Sequence, residues 1–241
     1  MKWNELLAQS ITHVPFLRFE YLKNWWQTRG GGEWPGDSRL VIITAHEGDH
    51  LVGIAPLFHS QHDGKSALLF LGSIEISDYL DFIVQPDNLT AFTASLLTFL
   101  KTNPDIPPWD TLDLYNLLDS SPSLEQLQQS VTALGWSFSN AVTNHAPVIN
   151  LPGDWEAYLA SLDKKQRHEL RRKIRRLEEA EISSKWYIVE NEETLDEDID
   201  QFLSLMAQDP EKEAFLTEEM VIAMSGTIKS AFAQGYLQLS F

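Results

Sequence analysis

Two stretches of this 241-residue chain hold the side chains best able to do chemistry. The first is Ser77-Asp78-Tyr79-Leu80-Asp81, which sets two carboxylates and a phenol at the start of an apolar, strand-like run. If Leu80 and Phe82 face the core, period-two alternation puts Tyr79 and Asp81 together on the other face. A carboxylate placed there could take up a proton or hold a positive charge; aspartates at strand starts also commonly cap turns. The second stretch is residues 164–176, with eight Lys and Arg residues against one acid, Glu169. Arginine's planar fork suits phosphate, so Arg167, Arg171, Arg172, Lys173 and Arg175 are candidates to bind a phosphate-bearing cofactor or substrate. Two other readings stay open. The helix could be a solvated face laced by Glu169–Lys173 and Arg175–Glu179 pairs, or it could lie on an anionic membrane with Leu170, Ile174 and Leu177 as a thin anchor.

Other residues carry weaker signals. His59 and His62 sit three apart near Asp63 in a turn region, but no third and fourth ligand accompany them, and no metal is expected. His145 stands alone before Ala146-Pro147 and reads as incidental. Trp25 and Trp26 could stack on a substrate, although their spacing from Leu22 sends at least one of them into the core. The chain has no cysteine, which removes disulfides, thiolate metal sites and a thiol nucleophile.

Charge is unevenly spread. The chain carries a net charge of −17, which argues against binding of nucleic acid or anionic membrane by the surface as a whole. Yet residues 164–176 sum to +7, leaving −24 for the remainder, so the basic run is an island in an acidic protein. No apolar run approaches the roughly 20 residues needed to span a bilayer, and the polar and apolar alternation of Met1 to Ser10 is not that of a secretory signal. A cytoplasmic protein without stable membrane insertion is the expectation.

Several elements must position these groups. Phe16, Phe19, Leu22 and Trp26 predict a helix over Phe16 to Arg29, ended by Gly30-Gly31-Gly32. Four strands follow, at Leu40 to Ala45, Leu51 to Phe58, Ser66 to Gly72 and Leu80 to Val84, with His46 to His50 and His62-Asp63-Gly64 as turns. An antiparallel meander is the simplest arrangement. Pro56, lacking an amide donor, predicts an edge or a bulge. A helix over Asn88 to Thr102, a strand over Thr111 to Tyr115, a helix over Ser123 to Leu134 capped by Ser123, and a strand over Trp136 to Ser139 complete a first lobe of residues 1–147.

Residues 148–241 open with Val148 to Leu151, Trp155 to Ser161 and the basic helix, whose Asp163 and Gln166 suit a capping box. A strand at Ser184 to Val189, helices near Leu195 to Ala207 and Thr217 to Gln234, and a strand at Tyr236 to Phe241 follow. Because that last apolar strand ends unpaired, the natural chain is expected to continue, or the strand to pair with the first lobe. The fold class expected is α+β, a largely antiparallel sheet flanked by helices.

Four motifs taken together resemble a known family: Leu51-Val-Gly-Ile-Ala-Pro-Leu57, Phe70-Leu-Gly-Ser73 leading to Ser77-Asp-Tyr-Leu-Asp-Phe82, Leu151-Pro-Gly-Asp-Trp-Glu-Ala-Tyr-Leu159, and the Arg-Arg-Lys-Ile-Arg-Arg core of the basic run. Their order and spacing are similar to those of GNAT-superfamily N-acyltransferases of the two-lobed, CelD-like and Fem-type branch. The resemblance implies a GNAT-like first lobe, an incomplete GNAT-like second lobe, and acyl transfer from acetyl-CoA or another acyl-CoA to an amine on a small or nucleotide-linked substrate. For that activity, the residue readings above make Asp78, Tyr79 and Asp81 the candidates at the reaction and the arginines of the basic run the candidates on phosphates. An aminoacyl-tRNA donor, or a non-catalytic binding module, are the alternatives the resemblance leaves. The chain departs from the superfamily in lacking a Gln/Arg-x-x-Gly-x-Gly/Ala loop at a helix start.

Overall fold

The computed structural model describes residues 2–32, 38–72, 74–180 and 185–241; Met1, Ser73 and Ser184, which fall in stretches read above, lie outside the described residues. The chain opens with a short helix α1 (Lys2–Leu7), unanticipated in sequence, that buries Leu6 and Leu7. After a 3-10 turn at Pro15–Leu17 comes α2 (Phe19–Arg29). Gly30 stops α2 by taking φ 55°, where its N–H donates to the Trp26 carbonyl. A Cβ would make that left-handed angle costly.

Three strands form the antiparallel meander: β1 (Arg39–Glu47), β2 (His50–His62) and β3 (Lys65–Phe70). The β2–β3 hairpin turns on Asp63 and Gly64, both at positive φ (48° and 72°), as a tight hairpin requires. The meander stops there, which corrects the four-strand expectation. The fourth strand, β4, shrinks to Ile83–Val84 and pairs with Gly53 and Ile54 of β2, on the edge β3 uses further along. The outer edge of β3 is taken instead by β5 (Thr111–Asp113), which runs parallel to it after crossing through α3 (Leu89–Thr102). The sheet is therefore mixed, in the order β1-β2-β3-β5.

Pro56 also departs from expectation, for it lies on the central strand. Its carbonyl accepts from Leu71 N–H at 2.8 Å. Since the N–H and C=O of one extended residue point the same way, the missing donor also faces Leu71; the reciprocal bond of that pair is unmade, and the β2–β3 ladder closes there, short of β4.

Side chains of β3 alternate between two cores. Leu68 and Phe70 face one cluster with Leu57, Phe82 and the α3 residues Leu89, Phe92, Leu96, Leu97 and Leu100. Ala67 and Leu69 face the other, with Phe58 and the α2 residues Tyr21, Leu22 and Trp25. Trp25 is the tryptophan of the pair that enters the core, 5.6 Å from the Phe58 ring. Helix α4 (Pro122–Ala133) joins the α3 side and is capped by Ser121, whose Oγ accepts from Ser123 N; Ser123 itself is not the cap. Trp136 to Ser139 forms no strand, and the Trp136 ring instead packs edge-on to Trp109 at 5.5 Å.

The chain divides into two compact units, one of Met1–Asn140 with Glu192–Leu237 and one of Ala141–Asn191 with Gln238–Phe241. The first therefore includes α7 (Leu195–Met206), α8 (Pro210–Phe215) and α9 (Glu218–Ala233), helices that the sequence order assigns to residues 148–241. Helix α9 packs on α2, where Asn24 Nδ2 donates to the Ala223 carbonyl at 2.9 Å and lies 3.0 Å from Thr227 Oγ1.

The second unit contains α5 (Trp155–Ser161) and α6 (Lys164–Glu178). The strands expected at Val148 to Leu151, Ser184 to Val189 and Tyr236 to Phe241 reduce to one antiparallel bridge, Ile188 to Ser240, framed by Tyr187 and Phe241 exchanging backbone hydrogen bonds of 3.0 Å. Residues 239–241 thus find their partner in the same unit and not in the first lobe. Among the described residues no helix is long and apolar enough to cross a membrane.

Candidate functional site

β3 and β5 pair only from Ala67 and Thr111 to Leu69 and Asp113. Past that point Leu71 stays on β2, its N–H donating to the Pro56 carbonyl, while the pairing with β5 ends. Loops leaving both ends meet there, in the position where open α/β sheets generally seat ligands. The loop after β3 is tied down at two points. Asn116, at φ 60°, donates from Nδ2 to the carbonyls of Ile74 (3.1 Å) and Ser77 (2.7 Å). The Tyr21 hydroxyl donates to Ile76 O at 2.7 Å and lies 2.8 Å from Ser77 Oγ. Burial pushes the Tyr21 phenol well above its ordinary range, which keeps it a neutral donor.

These ties hold Asp78 out in solvent and Tyr79 half-buried at φ 57°. A left-handed angle costs a tyrosine about 1 kcal/mol or more, and such strain persists only where the surroundings enforce it. It also explains why period-two alternation fails here. Instead of continuing a strand, the backbone reverses its hand at Tyr79, and Leu80, Asp81, Phe82, Ile83 and Val84 are all buried in succession.

Asp81 therefore does not share a face with Tyr79. It is 1 % exposed and accepts four hydrogen bonds: Thr12 Oγ1 (2.7 Å) and Ser121 Oγ (2.6 Å) on Oδ2, and Ser123 Oγ (2.6 Å) and Phe82 N (2.8 Å) on Oδ1. With its lone pairs so engaged it staples the amino-terminal segment to the start of α4. Burial raises its pKa while the hydrogen bonds pull it back down.

A second group of titratable side chains, unanticipated in sequence, stands by the end of β5. His62 Nδ1 lies 2.8 Å from Asp113 Oδ2, and His62 Nε2 lies 3.4 Å from the Tyr115 hydroxyl. The carboxylate only accepts, so Nδ1 carries the proton and Nε2 is the basic nitrogen. The Tyr115 phenol is raised by burial first and then by the charges of Asp113 and Asp63, and so stays protonated. Residues 113 and 115, two apart, share a face in any strand, but nothing in the sequence puts His62 opposite them. His59 turns elsewhere, with Nε2 2.6 Å from Ser66 Oγ, and His145 is exposed. Among the described residues no three His, Asp or Glu side chains converge on a point fit for a metal.

The basic candidates lie together on α6, in the second unit. Asp163 caps the helix, Oδ1 accepting from Lys165 N (2.8 Å) and Gln166 N (2.9 Å). Arg171 pairs with Glu156 of α5 at 2.9 Å, and Arg172 reaches Glu169 through both Nε (3.0 Å) and Nη2 (2.6 Å). These bonds from Arg172 hold the Glu169 carboxyl below its ordinary pKa. Lys173 Nζ is 4.0 Å from Glu169, and Arg167 Nη2 donates to Leu162 O. Glu169 thus leans on the residue three positions on more than on the fourth. Lys164, Lys165, Arg175 and Arg176 are exposed and, among the described residues, form no ion pair, although the Arg176 charge also acts on Glu169. An open hollow of about 450 Å³ is lined by Lys164, Lys165, His168, Glu169 and Arg172. No residue of α6 is buried. Compared with protein-family models, with curated proteins and with solved structures, the chain finds no match in any of the three.

Proposed function

We propose that this chain is an acyltransferase of the GNAT kind, moving an acyl group, acetyl in the simplest case, from a coenzyme A thioester to an amine. The observation that supports the reading is the parallel pair in an otherwise antiparallel sheet, β3–α3–β5, whose pairing ends at Leu69 and Asp113. Unpaired backbone amides beyond such strand ends are the donors that would polarise a thioester carbonyl. The amine nitrogen attacks the carbonyl carbon, a tetrahedral oxyanion forms and collapses, the C–S bond breaks, and the amine's proton leaves so that amide and thiol result.

Two groups in the first unit suit that proton. Asp78, exposed at the tip of the tethered loop beside Tyr79, can hold the incoming ammonium or take its proton. His62, oriented by Asp113, is a second base in the same unit. Asp81, fully engaged by its four donors, is left out of the chemistry. The test is isothermal titration of the protein with acetyl-CoA. Saturable heat at micromolar to roughly millimolar concentration, the usual range for enzyme substrates, is the expected result. No heat at all would defeat the reading, and heat without amine-dependent release of thiol would leave a binding module in place of an enzyme.

A further inference from the structure

The cations of α6 exceed what a single small anion needs, and their layout says what would use them. From Lys164 to Arg176 the helix rises about 18 Å. At about 100° per residue, Lys164, Lys165, Arg171, Arg172, Arg175 and Arg176 all fall within about 140° of arc, opposite the stripe of Leu170, Ile174 and Leu177. Two of these six are held by Glu156 and Glu169, while Lys164, Lys165, Arg175 and Arg176, at the two ends of the arc's length, form no ion pair among the described residues. A pyrophosphate or a lone phosphate would engage one end and leave the other unmatched. An extended polyanion engages both.

Three polyanions are conceivable, and the geometry separates them. An anionic bilayer would draw in the apolar stripe, but the cations sit on the opposite side, and insertion would lift them away from the headgroups. A second copy of this chain offers many carboxylates, but the rest of the chain carries −24 spread over more than two hundred residues, without the linear charge density that makes counterion release a driving force. A nucleic-acid strand has that density. In α5, the residue preceding Glu156, the partner of Arg171, is Trp155, 51 % exposed and tilted against Tyr158 with ring centroids 5.6 Å apart. An exposed aromatic next to a cationic track is the pairing that single strands use, with bases stacking while phosphates follow the charge. The acidic remainder does not forbid this, because at physiological salt charges more than about 8 Å away are screened.

We infer that α6, with Trp155 of α5, is a docking surface for single-stranded nucleic acid, gripped through its phosphate backbone without regard to sequence. This goes beyond acyl transfer and does not depend on it. Fluorescence anisotropy of a labelled 20-nucleotide RNA with the intact chain tests it. Four free cations predict a log–log salt slope of about −3, so affinity should fall about 50-fold between 50 and 200 mM salt. The quadruple variant K164Q/K165Q/R175Q/R176Q should lose most of that binding.

A loss alone could reflect unfolding, so a gain is the sharper arm. Glu156→Gln releases Arg171 and should tighten binding several-fold while steepening the slope by about 0.7. Trp155→Ala should weaken binding at every salt concentration without changing the slope. Absence of binding at 50 mM salt, binding indifferent to salt, or a Glu156→Gln variant that binds no better would overturn the assignment. Equal affinity for the matching duplex would overturn its single-strand part. Binding confined to phosphatidylserine vesicles would overturn it in favour of a membrane surface. None of these outcomes bears on acetyl-CoA titration, so the two proposals stand or fall separately.

Discussion

The carboxyl group of Asp81 is enclosed by three hydroxyls and one backbone amide, and this environment sets what its loss should cost. Asp81→Ala leaves three buried donors and the half-buried Thr12 hydroxyl without their acceptor, and we expect a loss of about 3 kcal/mol or more in urea unfolding, with no bearing on acetyl-CoA affinity. Its pH dependence has a definite sign. Burial raises the folded-state pKa above the ordinary 3.8, so ionising Asp81 is harder in the fold than in the unfolded chain. The stability this group contributes is full below about pH 3.8 and declines as pH rises through the folded value. Asp81→Asn cannot ionise, so the advantage of the wild type over it should be largest in acid and shrink toward neutrality. A gap that widens with rising pH would contradict the assignment. Gly53 is a second residue whose type is dictated by a neighbour. A Cβ there would stand 2.3 Å from Phe92 Cδ2, and Phe92 is buried between β2 and Phe82 and cannot retreat. Gly53→Ala should cost about 1–3 kcal/mol, and Phe92→Leu in the same chain should recover part of it.

Among elements, the α2–α9 contact joins residues about two hundred positions apart, and its closeness depends on Gly226. A Cβ at 226 would fall 2.2 Å from Asn24 Oδ1, so Asn24 can bridge Ala223 and Thr227 only because α9 presents bare backbone beside it. Gly226→Ala should raise the helix propensity of α9 yet destabilise the protein by about 1 kcal/mol or more through that clash. Asn24→Ala should also destabilise, by the lost hydrogen bonds. The double variant should cost less than the two single changes added together, because the clash has no partner left; strict additivity in thermal unfolding would show that the two helices do not meet there. The same scale explains β2. It carries Pro56 at its centre because two short partners share one of its edges, so the position without a donor falls at their junction.

For the molecule as a whole, charge and hydrophobic pattern reached different depths. Helix α3 was legible because five apolar residues at helical spacing all enter one core, and α6 because Asp163 offers its carboxylate to the first turn. The β1–β2–β3 meander was legible because Gly48 and Gly64 mark two-residue turns between apolar runs. The isolation of eight basic residues in an acidic chain needed no structure at all. Those features are local: propensity, caps, turns and charge density act over a few residues, and the sequence carries them directly. The partners of β4 and β5, the burial of Asp81, the meeting of His62 with Asp113, and the packing of α9 on α2 are different in kind. Each joins groups about thirty to two hundred positions apart. Which edge a strand takes, and whether a carboxylate meets water or three hydroxyls, is settled by the closing of the sheet and the stacking of helices on its two faces. Local pattern determined what the pieces of this protein are; only the tertiary structure decided which of its polar residues were consumed in holding those pieces together and which were left to act.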